Sequence, residues 1–202
     1  MVQILSKAPT ITLFQLEHSP TADLLRTLVS FADLPFTEVA ISTTNPDSAH
    51  TGQANSPSVL PALRIDGTTV AELGPVCRRI AVFVGLHGAS PHEDTYVDTL
   101  GGQILDLWEG INTASKESSR NRKVNDALRQ LDELVAGNGK KDKVFLVGKT
   151  LSWADLVLVH FVNYIRNNDE FHHLFDDFDQ VYPALNRFAS HSRPQTNIFD
   201  LY

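Results

Sequence analysis

SVLPALRIDGTTVAEL, Ser58 to Leu73, is the stretch from which the first half of the chain is read. Pro61 opens a short apolar run that ends at Ile65, the pair Asp66-Gly67 follows, and Thr68 to Ala71 is β-favouring again. An Asp-Gly pair between two such runs is a hairpin signal, because a two-residue turn needs positive φ at positions that Asp and Gly tolerate. Proline at the first position of a strand removes no ladder hydrogen bond there. Beyond the hairpin, Val76, Ile80, Val82 and Phe83 fall on a helix that should end near Gly85.

Upstream, ITLF (Ile11 to Phe14) is an apolar run, and Leu24, Leu25, Leu28, Phe31 and Ala32 recur at helical spacing. FTEVAI (Phe36 to Ile41) alternates as a second strand, whereas Thr43 to Ser58, rich in Thr, Asn, Ser and Pro, reads as an irregular connection. The order β-α-β, loop, β-β-α with a proline opening the third strand resembles a thioredoxin-like domain.

Downstream, Gly, Ser and Pro cluster in Leu86 to Asp94, and strand signals then nearly vanish. Tyr96, Leu100, Ile104, Leu107 and Trp108 form one helical stripe; Val124, Leu128, Leu131, Leu134 and Val135 form another. KESSRNRK (Lys116 to Lys123) reads as a polar bend between them and GNGKKDK (Gly137 to Lys143) as a loop. In FLVGKTLSWADLVLVHFVNYI, Ser152 and Asp155 have capping-box spacing at the start of a helix that is apolar nearly all round, as a central buried helix is. The domains expected are residues 1–86, α/β; a linker, 87–94; and residues 95–202, all-α.

Composition narrows the function. The 17 Lys+Arg against 24 Asp+Glu leave a net charge of -7, which opposes phosphate backbones and anionic lipid, so neither nucleic acid nor a membrane is an expected partner. No apolar run reaches the length of a membrane span. The one cysteine, Cys77, has no internal disulfide partner, which fits a reducing, cytoplasmic location. His172-His173 are adjacent rather than spaced for zinc, and Asp176, Asp177 and Asp179 lack the order of a calcium loop, so no metal is expected. Glu17-His18-Ser19 lacks the surrounding elbow of a hydrolase nucleophile.

ITLF, SVLPALRIDG, VDTL (Val97 to Leu100) and VGKTLSWADL together make the chain similar to the cytosolic glutathione S-transferases over nearly its whole length. The nearest likeness is to the sigma class, which includes hematopoietic prostaglandin D synthase. The resemblance implies an N-terminal thioredoxin-like domain, a C-terminal all-helical domain, a homodimer, and glutathione as co-substrate or ligand. It also implies that Pro61 is cis, so that the backbone of Leu60 pairs with the cysteinyl part of glutathione; the same proline shapes the fold with or without a ligand. Family members hold the γ-glutamyl group with Gln-Ser or Glu-Ser after the hairpin, where this chain has Glu72-Leu73. Asp98 matches the acidic residue that reaches across the dimer toward the γ-glutamyl amine, and is otherwise a solvated or capping carboxylate.

The chain departs from the pattern at the thiol. Sigma-like members place a tyrosine near the end of the first strand to stabilise the glutathione thiolate, and the matching residue here is Leu13. Other classes use a serine at the start of the first helix. Ser19 is the candidate for that role, although Ser19-Pro20 is also a usual N-cap and N1 pair. The family arginine after the first strand has no counterpart, and Thr43 to Ser58 contains neither the Trp nor the Lys that reach the glycyl end. Leu105 and Trp108, beside Leu107, would line an apolar second-substrate cleft or pack in the core. The reading favoured is therefore a non-catalytic or weakly active binding or scaffold member. The alternative is an active transferase or isomerase for small hydrophobic electrophiles, with Ser19 polarising the thiol.

Overall fold

The computed structural model describes residues 9–17, 19–31, 35–42, 60–137 and 144–192. The chain divides into two units, Met1–Gly85 and Leu86–Tyr202.

In the first unit, strands β1 (Ile11–Leu16), β2 (Phe36–Ile41), β3 (Ala62–Ile65) and β4 (Thr68–Ala71) form one sheet in the order β2-β1-β3-β4. β1 runs parallel to β2, from Ile11↔Phe36 to Leu16↔Ile41, with helix α1 (Ala22–Ser30) as the crossover. β1 is antiparallel to β3, and β3 to β4. The pair Ile65↔Thr68 closes β3 and β4 around Asp66 (φ 48) and Gly67 (φ 85), the positive dihedrals of a type I′ turn. Asp66 also fastens this turn to the start of β1: its N–H donates to Thr10 O at 3.1 Å and its Oδ1 accepts from Thr10 N at 2.9 Å.

Apolar side chains of α1 (Leu24, Leu25, Leu28), of the sheet (Leu13, Leu63) and of α2 (Leu73–Val84: Val76, Cys77, Ile80) are buried. The Cys77 thiol is pushed up in pKa by that burial, which disfavours the thiolate. α2 ends where Gly85, φ 76, returns its N–H to Ala81 O. Val82 and Phe83 share the helix with the core residues yet lie exposed on its outer side.

The second unit is helical: α3 (Pro91–Asn112), α4 (Glu117–Gly137), α5 (Trp153–Arg166), a 3-10 segment (Asp169–Phe175), α6 (Phe178–Val181) and α7 (Pro183–Ser192). α3 starts inside the stretch read as linker, with Ser90 accepting from Glu93 N at 3.2 Å and Pro91 at the first helical position. Its buried stripe starts at Val97, while Tyr96 is exposed, and Leu105 rather than Leu107 fills the core position. α5 is buried almost all round, as its sequence required. Asp132 of α4 accepts from the backbone N–H groups of Ala184 and Leu185 at 2.8 and 2.9 Å, satisfying the first turn of α7.

The polar octapeptide KESSRNRK is not a bend: from Glu117 on it is the first two turns of α4. Its cations reach the carbonyl end of α3, with Lys123 Nζ on Gly110 O at 2.6 Å and Arg120 on Ala114 O at 3.1 Å. Arg120 also pairs with Glu170 at 2.9 Å. These tertiary partners make a sequence without an apolar stripe helical.

Candidate functional site

The candidate glutathione positions of the first unit lie where the hairpin enters and leaves the sheet. The Leu60–Pro61 peptide bond is cis. Leu60, half-buried, packs on the small cluster of Phe14, Ile41 and Ala62 beside Val39 and Ala71. At the other end of the hairpin Glu72 is exposed and has φ 72, ψ 146, a dihedral pair that a residue with a Cβ rarely adopts. It is the N-cap of α2 and makes no side-chain cap bond; its carbonyl accepts from Val76 N at 3.0 Å. Leu73 and Gly74 open the helix with backbone N–H groups that have no acceptor within it, and Pro75 has no N–H to give. Leu73 supplies no hydroxyl beside them.

The thiol-activating candidates sit elsewhere in the unit. Leu13 is 0% exposed, on the central strand β1 opposite Glu38 and Leu63. Ser19 follows a turn in which its N–H donates to Leu16 O at 3.2 Å and its carbonyl accepts from Ala22 N at 3.0 Å. That turn moves the helix start two residues on from the expected place: Thr21, not Ser19, is the N-cap of α1, and Pro20 lies before the helix. The Ser19 Oγ lies 2.9 Å from Thr21 Oγ1 and accepts from Thr21 N at 3.4 Å. His18 and the connection Thr43 to Ser58 fall outside the described residues.

One polar network of this unit escaped the sequence reading. Arg26, on the first helix, donates through Nε and a terminal nitrogen to both oxygens of Glu38 at 2.8 and 2.6 Å, and through the other to Asp23 at 2.6 Å. Buried Gln15 donates to the same Glu38. The Arg26 guanidinium holds the Glu38 carboxyl below the usual range, and in turn stays firmly protonated. Only the β1-α1-β2 crossover, which places α1 between two paired strands in the chain, could have hinted at a pairing of 26 with 38.

In the second unit Asp98 accepts from Trp153 Nε1 at 3.3 Å. Trp108 and Leu105 are buried; the Trp108 ring meets Phe161 edge-on at 5.8 Å and tilts against Tyr164 at 5.3 Å. Asp155 accepts from Ser152 N and Oγ at 2.7 and 2.6 Å and from Leu146 N at 2.7 Å, the capping arrangement its spacing implied plus one loop amide. His172 and His173 are exposed, and Asp177 and Asp179 stand at the start of α6.

These residues fit glutathione in part. A cis proline, an exposed acidic side chain and an adjacent helix N-terminus are groups of the kind that suit the peptide and γ-glutamyl parts of such a ligand. Leu13, which the resemblance matches to the thiol-activating position, is apolar and fully buried.

Residues 103–198 match the family model described as glutathione S-transferase, C-terminal domain. The chain is 24% identical over 148 residues to glutathione S-transferase P 10 of Caenorhabditis elegans, covering 69% of this chain and 66% of that protein. It is 30% identical over 105 residues to hematopoietic prostaglandin D synthase of Gallus gallus, covering 48% of this chain and 50% of that protein. The fold superimposes on the monomeric glutathione S-transferase Na-GST-3 of Necator americanus with a TM-score of 0.77 at 19% identity, over 95% of each chain.

Proposed function

This chain belongs to the glutathione S-transferase superfamily, with sigma-like similarity, and from that premise we propose that it is a binding or scaffold member whose glutathione site has lost its thiol chemistry. The observation that supports the reading is the full burial of Leu13, the residue that the resemblance matches to the sigma-class tyrosine. Ser19, the remaining candidate for that role, has its hydroxyl turned to Thr21 at 2.9 Å.

Leu60, Pro61 and Glu72 keep the outline of the ligand site in this reading, and Leu73 removes a hydroxyl from it. Asp98 would serve the γ-glutamyl amine from a second copy of the chain in a cytoplasmic homodimer. Leu105 and Trp108, 7% and 2% exposed, leave little apolar surface at that place for a second substrate, which favours binding over turnover. Each missing polar contact to a charged ligand group costs about 1.5–3 kcal/mol. Three such losses, if independent, carry micromolar affinity to millimolar or weaker.

Calorimetric titration with reduced glutathione tests this directly. The wild type should bind at millimolar strength or not at all, Leu73→Ser should tighten binding about tenfold, and Ser19→Ala should leave it unchanged. Micromolar binding by the wild type, weakened in Ser19→Ala and accompanied by conjugation of an electrophile, would replace this reading with an active transferase.

A further inference from the structure

Helix α4 is held in two different ways along its length. From Val124 on, apolar burial anchors it, through Val124, Ala127, Leu128 and Leu131. Polar ties add to this: Asn125 Oδ1 accepts from the Tyr182 hydroxyl at 3.1 Å, and Asp132 accepts from the first N–H groups of α7.

Before Val124 that anchor is missing. No residue from 112 to 123 is buried, and KESSRNRK (Lys116 to Lys123) contains no apolar side chain. What holds these turns is polar and peripheral. Lys123 Nζ donates to Gly110 O at 2.6 Å and Arg120 to Ala114 O at 3.1 Å, both within the α3–α4 hairpin. One tie crosses to a third element: Arg120 Nε reaches both carboxylate oxygens of Glu170, in the 3-10 segment, at 2.9 and 3.1 Å. The two side chains are 30% and 22% exposed, so solvent and salt reach the pair.

A segment with no buried apolar contact and half-exposed polar ties belongs to the low-stability end of a fold, where local opening is separate from global unfolding. Its opening takes no buried side chain out of the core, so the remainder of α4 need not follow. Its closing adds turns to an existing helix and so avoids the cost of nucleation. We propose that residues 113–123 form a strap that opens and closes as one unit, hinged before Val124 and clasped by Arg120 on Glu170, with ionic strength setting how often it opens. The strap shares its corner with Tyr164, whose hydroxyl donates to Asn112 Oδ1 at 2.9 Å and whose ring lies 5.3 Å from that of Trp108. The proposal is independent of the glutathione reading.

Amide hydrogen exchange of the full-length protein, followed by NMR and corrected for intrinsic rates, tests it. In the wild type the amides of residues 120–123 should exchange at least about 100-fold faster than those of residues 127–131. Between about 0.01 and 1 M sodium chloride the screening length falls from about 30 to about 3 Å. The first group should then speed up about threefold while the second stays unchanged. Glu170→Gln, which removes the charge and keeps the length of the side chain, should already be fast at low salt and lose the salt response. Equal protection of the two groups in the wild type, absence of a salt response there, or an undiminished salt response in Glu170→Gln overturns the strap. The first two of these outcomes are read on the wild type, so the test stands even where the variant fails to fold.

Discussion

Asp155 carries a carboxyl group with no solvent exposure and three donors around it. Loss of solvation is the largest influence on it and pushes its pKa up to about 6, while the donors from Leu146 and Ser152 pull the other way. Between its ordinary value of 3.8 and about 6 the folded protein thus binds more protons here than the unfolded chain does. The stability due to this group is full below that window and falls as pH rises through it. Asp155→Asn should flatten this part of the pH dependence in urea unfolding; an unchanged slope would contradict the account. The same substitution turns an N–H group toward donors that need an acceptor, and should cost about 2–3 kcal/mol at neutral pH, seen as a lower midpoint at constant slope. The pairing of Ser152 with Asp155 was legible from their spacing. The amide of Leu146 was not, because a loop brings it back from nine residues away.

α3 and α5 cross where Gly101 faces Trp153. A Cβ at Gly101 would meet the indole ring at 2.3 to 2.7 Å, whereas one at Gly102 would meet nothing within 4 Å. Gly101→Ala should therefore destabilise the protein by about 1–3 kcal/mol through overpacking. Gly102→Ala, in the same helix, should stabilise it by up to about 1 kcal/mol through helix propensity alone. Thermal unfolding of the pair checks both, and equal shifts would refute a close crossing. The hairpin of β3 and β4 was readable residue by residue, since Asp66-Gly67 dictates its own turn. The starts of α1 and α4 were not. A turn through Ser19 delays the first, and the carbonyls of Gly110 in α3 and Ala114 just after it, together with Glu170, recruit the basic residues that make the second helical.

At the scale of the molecule, the superfamily reading leads to a testable mass. Light scattering at micromolar concentration should give twice the 22.4 kDa of the chain; a value of one chain mass would remove the partner to which Asp98 is assigned. Among the described residues no helix is long and apolar enough to cross a membrane. Several large apolar side chains, Val82, Phe83 and Tyr96 among them, remain exposed on the single chain.

The sequence by itself determined the order of elements, the two-part architecture, the Asp-Gly turn and the apolar central helix, because each depends on periodicity or on residues adjacent along the chain. Only the tertiary structure decided that Glu72 holds a positive φ, that Arg26 and Glu38 tie the first helix to the second strand, and that Ser19 spends its hydroxyl on Thr21. It alone left Trp108 Nε1 and Asn121 Oδ1 shielded without a protein hydrogen-bond partner. The physical reason is common to all four: backbone strain and polar satisfaction depend on which groups the fold brings within hydrogen-bond reach, and neither has a period along the sequence.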